Sequence, residues 1–214
     1  MGSVPASPDR RPIAARQSAY ARGLTAWLVR HRVRPNAISL AGLLAALVAG
    51  LSLWATARAP WPRLWWALAA LFIGLRLLAN MLDGMVALAA GQASRTGLLY
   101  NEVPDRIADA LIFIAAGFAA GSSPHAGYLA ALAAVLVAYG RALGNSLGVQ
   151  GLFLGPMAKS QRMFALAALA GYHALTPAAW QPDRLLAWGL VFIFVASLGT
   201  FGRRLWRIAQ EVRA

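Results

Sequence analysis

The sequence predicts an all-α membrane protein, six transmembrane helices behind an amphipathic N-terminal helix, and three observations carry that expectation. The 214 residues are 59% hydrophobic with a mean hydropathy of +0.57, too apolar for an ordinary soluble domain. Apolar runs near the ~20 residues that cross a bilayer recur along the chain. The net charge of +13 is also patterned. Arg10, Arg11, Arg16, Arg22, Arg30, Arg32 and Arg34 precede the first apolar run, and Arg203, Arg204, Arg207 and Arg213 follow the last. Only Arg58, Arg63 and Arg184 fall in the loops of the opposite side. That is the positive-inside distribution, with both termini cytoplasmic and an even number of spans. It accounts for the charge without nucleic acid, for which no interleaved basic and aromatic module is present.

Residues 1–10 are polar and proline-bearing and are expected to be disordered. Residues 11–34 form the amphipathic juxtamembrane helix: Ile13, Tyr20, Leu24 and Trp27 share one stripe, with arginines mostly elsewhere. Such a helix lies among lipid headgroups, or alternatively against a partner protein. No short apolar signal-peptide core occurs in this region. Residues 35–203 form one bundle, with spans at 37–57, 61–90, 98–120, 126–147, 157–175 and 185–201, and a basic tail occupies 204–214. Trp54, Trp61, Trp65, Trp66, Trp180 and Trp188 gather near the outer boundary as an aromatic belt. Gly140, Gly144 and Gly148 recur at four-residue spacing, which lets helices approach closely within the bundle or across a homodimer. Cysteine is absent, so disulfides are excluded.

The chemistry lies in the acidic residues. Four of the seven, Asp83, Glu102, Asp105 and Asp109, fall between positions 83 and 109, among long apolar runs. A carboxylate at mid-membrane costs roughly 2.5–3.5 kcal/mol, so these must stand at the interface, line a wet cavity, or be neutralised by cations. On a helix Asn80, Asp83, Gly84 and Ala87 share a face, and Gly84 and Ala87 leave it nearly bare. Further on, Asn101, Glu102, Asp105 and Asp109 occupy an arc of about 100°. Two adjacent antiparallel helices would aim these sets at each other. Hard oxygen ligands on two helices suit Mg²⁺ or Mn²⁺, and no His or Cys lies nearby for zinc.

The segment Asn80–Asp105 resembles the signature of the CDP-alcohol phosphatidyltransferases, D-x2-D-G-x2-A-R-x8-G-x3-D-x3-D. Asp83, Gly84, Ala87, Gly97 and Asp105 match in residue and spacing, while Asn80, Asn101 and Leu88 stand where the signature has Asp, Asp and Arg. Pro35-Asn36-Ala37-Ile38-Ser39 is similar to the family's P-N-x-I-T, and Lys159-Ser160 to a family Lys-Thr pair. Six spans and an interfacial N-terminal helix are also what the family implies.

The resemblance implies an inner-membrane enzyme of bacterial type with a cytoplasmic active site. It would transfer a phosphatidyl group from CDP-diacylglycerol to a polar alcohol and release CMP, with divalent metal at the pyrophosphate. By match, Asp83 is a metal ligand and Asp105 the general base or a ligand, and Asn36, Ser39, Gly84, Ala87 and Gly97 border the CDP-lipid. Asn80 and Asn101 can still coordinate through amide oxygens. Glu102 and Asp109 restore the two missing charges on one reading. On the other, Glu102 is a solvated turn residue and Asp109 pairs with Arg106 or Arg76. Leu88 cannot bind phosphate as an arginine would; Arg95 takes that role instead, or simply faces anionic lipid.

Arg141, Lys159 and Arg162, near the ends of the fourth and fifth spans, suit a phosphorylated acceptor such as glycerol 3-phosphate or an inositol phosphate, or are ordinary positive-inside residues. The rival function is a catalytically silent relative that binds CDP-lipid or scaffolds lipid enzymes. A small transporter fits less well, since its ion site belongs near mid-bilayer.

Overall fold

The computed structural model describes residues 18–91, 95–149, 151–152 and 155–213, without the side chains of 95–101. Seven α-helices and no strand occur among them: α1 (Ala19–Arg30), α2 (Pro35–Ala55), α3 (Pro62–Ala89), α4 (Arg95–Gly117), α5 (Pro124–Ser146), α6 (Lys159–Leu175) and α7 (Leu185–Arg213). The disordered tail expected at 1–10 and the start of the juxtamembrane helix, including Ile13, lie outside the described residues.

Local chemistry sets the boundaries. The Ser18 hydroxyl accepts the Ala21 N–H at 3.2 Å and opens α1. Proline begins α2, α3 and α5, where its missing N–H costs nothing. Gln161 reaches back to the Ala158 N–H at 2.9 Å and caps α6.

Helices α2, α3, α5 and α7 are long and apolar enough to cross a membrane. The other two expected spans fall short for physical reasons: α4 carries Glu102, Asp105, Arg106 and Asp109, and α6 has 17 residues. Leu40, Leu44, Leu47 and Leu51 make a continuous exposed stripe along α2, and Val191, Phe192 and Val195 another on α7, a pattern that belongs against lipid. The basic C-terminal segment does not trail from the bundle. It continues α7 to Arg213, and buried Arg204 donates to the Val137 carbonyl at 2.7 Å.

Small residues build the interior. Ala46 and Ala49 of α2, Ala69 of α3, Ala108 and Ala116 of α4, Ala130 and Ala134 of α5 and Ala170 of α6 are buried, with Ile73, Ile112, Phe113, Leu166 and Leu190 filling between them. Backbones can then approach closely, which is how helices associate where burial of apolar surface gives no advantage over lipid. Gly140 and Gly144 serve this within the chain: a Cβ on Gly140 would meet the Phe201 ring at 3.0 Å, and one on Gly144 would overlap Leu152 and touch Ile208 at 3.2 Å. Gly148, at φ +79°, follows the end of α5 in the left-handed conformation. Trp66 is buried in this core, stacked 4.5 Å from His173, whereas Trp54, Trp61, Trp180 and Trp188 are exposed.

Helices α4 and α5 approach backbone to backbone. A Cβ on Gly127 would lie 2.7 Å from Gly117 Cα and 2.8 Å from the Phe113 carbonyl oxygen. Both neighbours are backbone and cannot rotate aside. Gly127→Ala is therefore expected to lower stability by about 1–3 kcal/mol. Gly74→Ala, which meets nothing within 4 Å, is the control. Thermal unfolding in detergent checks this, and equal midpoints for the two variants would contradict it.

Candidate active site

The site is a charged seam among α2, α3, α4 and α6. Helices α3 and α4 each pack on α2, and α6 packs on α3. Side chains carry the contact between α3 and α4, as the sequence suggests for an adjacent pair: Arg76 and Asn80 of one reach Asp105 of the other. Gly42 on α2 creates part of the room. A Cβ there would stand 3.1 Å from Ala79 Cβ and 3.7 Å from both Cδ and Nη1 of Arg76.

Asp105 stands at the centre, 7% exposed. Helical spacing puts Arg76 and Asn80 on one face of α3, and both reach Asp105. Asn80 Nδ2 donates to both carboxylate oxygens, at 2.9 and 2.8 Å, and Arg76 Nη2 pairs with Oδ1. Lys159, at the first position of α6, pairs with Oδ2. Asp83, 3% exposed, accepts the Ser39 hydroxyl at 2.9 Å and the Gly84 N–H at 2.5 Å, tying the start of α2 to the end of α3. Asn36 is exposed one turn before Ser39, and Gly84 and Ala87 are half-buried beside Asp83.

Asp109 lies one helical turn beyond Asp105, 2% exposed. Its Oδ1 makes no hydrogen bond and stands 4.0 Å from Arg76 Nη2, while Oδ2 is 3.9 Å from Arg162 Nη2. Asp105 and Asp109 thus face three cations, Arg76, Lys159 and Arg162, while Asp83 accepts hydrogen bonds from Ser39 and Gly84. Neutralisation by opposite charge is what makes the burial tolerable.

The loop before α6 aims Lys159. The Thr200 hydroxyl of α7 accepts the Met157 N–H at 3.1 Å, and Arg162 Nη1 donates to the Met157 carbonyl at 2.8 Å. Gly155, at φ +113°, packs on Thr200, where a Cβ would overlap the threonine side chain. Thr200 and Arg162 are positioning groups of which the signature gives no hint, because they act on the backbone through tertiary contact.

Two groups of expected site residues separate here. Glu102 turns away from Asp105 and pairs with Arg106 and with Arg141 of α5. It does not join Asp83 and Asp105, because those two guanidiniums lie within its reach. Arg162 is 1% exposed and bound to Met157 and Asp109, so Arg141, Lys159 and Arg162 do not form one open cationic pocket. Asn101, Arg95 and Gly97 belong to α4, but their side-chain surroundings lie outside the described residues.

Leu88, where the signature has arginine, is half exposed. It lines a groove of about 720 Å³ between α1 and α3 that Arg22, Arg30, Thr25, Val29 and Met85 also border.

Among the described residues no three acidic or histidine side chains gather at metal-binding distance. The donor chemistry nonetheless fits a hard divalent cation: Asp83, Asp105 and the Asn80 amide oxygen are the right ligand type, and Asp109 Oδ1 is buried without a hydrogen bond. Of the two cations on Asp105, Lys159 has the more exposed side chain, 21% against 5% for Arg76, although its Nζ is itself buried.

No protein-family model matches the chain. The inner membrane protein YnbA of Escherichia coli (strain K12) is 30% identical over 171 residues, which cover 79% of this chain and 82% of that protein. The phosphatidylinositol phosphate synthase of Streptomyces avermitilis is 27% identical over 195 residues, 87% of this chain and 76% of that one. Among solved structures, the Mycobacterium tuberculosis phosphatidylinositol phosphate synthase PgsA1 in complex with manganese and citrate superposes with a TM-score of 0.70 at 22% identity, covering 87% of both chains. The same enzyme with CDP-DAG bound gives 0.69 at 21% identity, over 87% of this chain and 92% of that one. The exposed apolar stripes, the helical architecture and these relatives converge: this chain is an integral membrane protein related in sequence to YnbA and to phosphatidylinositol phosphate synthases, with the fold of PgsA1.

Proposed function

We propose that the protein transfers the phosphatidyl group of CDP-diacylglycerol to the hydroxyl of a polar alcohol and releases CMP, using Mg²⁺ or Mn²⁺. One observation carries this reading. The matched positions Ser39, Asp83 and Asp105, with Lys159, come from four helices and meet in one buried polar seam. A bundle held together by apolar packing alone has no use for such a set, since desolvating it costs several kcal/mol per ion.

The acceptor oxygen attacks the lipid-attached phosphorus, its bond to the CMP oxygen breaks, and the hydroxyl proton goes to a carboxylate. When bound, the divalent cation offsets charge on the phosphates. Asp105 is the base, and one of its donors must turn away before it can accept the proton. Lys159 does so most readily, because its side chain is the less buried of the two cations on Asp105 and gains a phosphate partner in exchange. Arg76 stays, holding the carboxylate in place. Asn36, Ser39, Gly84 and Ala87 line the approach of the CDP-lipid, with Arg95 and Gly97 at the opening of α4. Arg22 and Arg30 supply the cationic rim that Leu88 does not.

The acceptor is a phosphorylated polyol, contacted by Lys159 and by Arg141 once Glu102 releases it. An inositol phosphate is the first candidate, as two relatives bear the name phosphatidylinositol phosphate synthase. The six-span arrangement has α4 and α6 crossing with their charges turned inward. The site and both termini then face the cytoplasm across the inner membrane.

Purified protein with Mn²⁺ is expected to release CMP from CDP-diacylglycerol only when an acceptor is supplied. CDP-lipid binding without release for any phosphorylated or free polyol would favour the silent relative, a reading supported by the occupied state of Asp105.

A further inference from the structure

Resting on the reading of the acceptor as a phosphorylated polyol, we infer that Arg106 and Arg141 form a phosphate subsite whose internal occupant is Glu102, a competing carboxylate that makes the site select phosphate monoesters over singly charged ligands. Glu102 joins two helices. Its Oε2 pairs with Arg106 Nη2, one turn further along α4, and its Oε1 with Arg141 Nη2 of α5. A glutamate and an arginine paired four residues apart on one helix are ordinary, and Arg207 with Glu211 on α7 is another such pair. Helical spacing does not account for the second guanidinium, which comes from another helix to the remaining oxygen. Two guanidiniums converging on one oxyanion are the arrangement that holds a phosphate.

Charge selects the ligand. Deeper in the seam, Asp105 and Asp109 already face Arg76, Lys159 and Arg162. Among the described residues, the ion pairs of Arg106 and Arg141 are with Glu102. One carboxylate offsets only one of those two positive charges. A phosphate monoester, which carries about −1.5 to −2 near pH 7, offsets both. A singly charged ligand gains nothing over the carboxylate it displaces. Access is present as well: the side chains of Glu102, Arg141 and Arg106 are 41%, 34% and 26% exposed, against 10% for Asp105. Ion pairs this open to water hold weakly, so a ligand can take the place of Glu102. Glu102 lies three residues before Asp105, about 4.5 Å along the helix axis at ~1.5 Å per residue. A polyol phosphate spans that distance between its phosphate and a hydroxyl directed at the base.

The test is the apparent Kd for inorganic phosphate, read from thermal midpoints of the full chain in detergent at constant ionic strength. Wild type is compared with Glu102→Gln and with Glu102→Gln combined with Arg141→Gln. An internal occupant lowers apparent affinity by the fraction of time the site stands open, so the phosphate Kd is expected to fall about 10-fold in Glu102→Gln. Removing Arg141 as well is expected to abolish that gain. Acetate, a singly charged probe, is expected to stabilise Glu102→Gln and leave wild type unmoved. A wild-type phosphate Kd in Glu102→Gln would overturn the inference, as would a gain that survives the loss of Arg141, since phosphate would then bind elsewhere. An acetate response in wild type equal to its phosphate response would overturn it too. If Glu102→Gln does not fold, Glu102→Asp, whose shorter side chain cannot reach both guanidiniums, is read in the same way. CMP release on the same preparations tests the reaction separately. Tighter phosphate binding without release in any of the proteins removes the transferase reading and leaves the subsite, whereas release with no change in phosphate Kd does the reverse.

Discussion

Asp105→Asn will abolish phosphatidyl transfer, lowering turnover by about 10²–10⁴-fold, the usual contribution of a positioned general base. Asparagine keeps the shape but cannot take the acceptor proton. The same change leaves Arg76 and Lys159 facing a neutral amide in a buried seam, and removing one partner of such a cluster costs about 3–5 kcal/mol. Activity and stability will therefore fall together, and a single variant cannot separate them. Adding Lys159→Met removes one of the stranded cations. The double variant is expected to regain part of the thermal stability and none of the turnover. Recovery of turnover in either variant would remove Asp105 as the base.

Asp83→Ala will raise the Mn²⁺ concentration needed for half-maximal activity at least ~10-fold, because it deletes a charged oxygen ligand where only two matched carboxylates remain. It also frees the Ser39 hydroxyl and Gly84 N–H that hold the start of α2 against α3. Ser39→Ala disturbs the same carboxylate from outside and is expected to shift the metal requirement in the same direction, by ~10–100-fold at most. A metal titration of the three proteins checks the order wild type, Ser39→Ala, Asp83→Ala. An unchanged metal requirement in Asp83→Ala would end its role as ligand.

Much of the site is legible in the sequence because helical period fixes which residues share a face. Asn80 and Asp83 on α3, and Asp105 and Asp109 on α4, fall where the spacing places them, and Ser39 joins Asp83 as its motif at the start of α2 suggests. Reach and partner choice are less legible. Glu102 lies within 100° of Asp105 on the same helix, yet Arg106 and Arg141 draw it aside. Arg76, one of the two partners that the sequence allows Asp109, does stand 4.0 Å from it, but long arginine side chains span several ångströms, so neither spacing nor charge pattern says that Arg162 points inward or that Arg141 pairs with an acid. The Thr200 and Met157 contact joins residues 43 positions apart and leaves no local pattern. That α3 and α4 each pack mainly on α2 is also a tertiary matter, since hydropathy reports that a helix is apolar and not which helix it touches.

The central claim is that this seam performs acceptor-dependent phosphatidyl transfer. The most direct measurement follows CMP and lipid product together, from CDP-diacylglycerol and an inositol phosphate with Mn²⁺, for wild type and Asp105→Asn side by side. Equal amounts of CMP and new phospholipid from wild type, and neither from Asp105→Asn, are the predicted result. CMP without lipid product, or the same yield from both proteins, would contradict it.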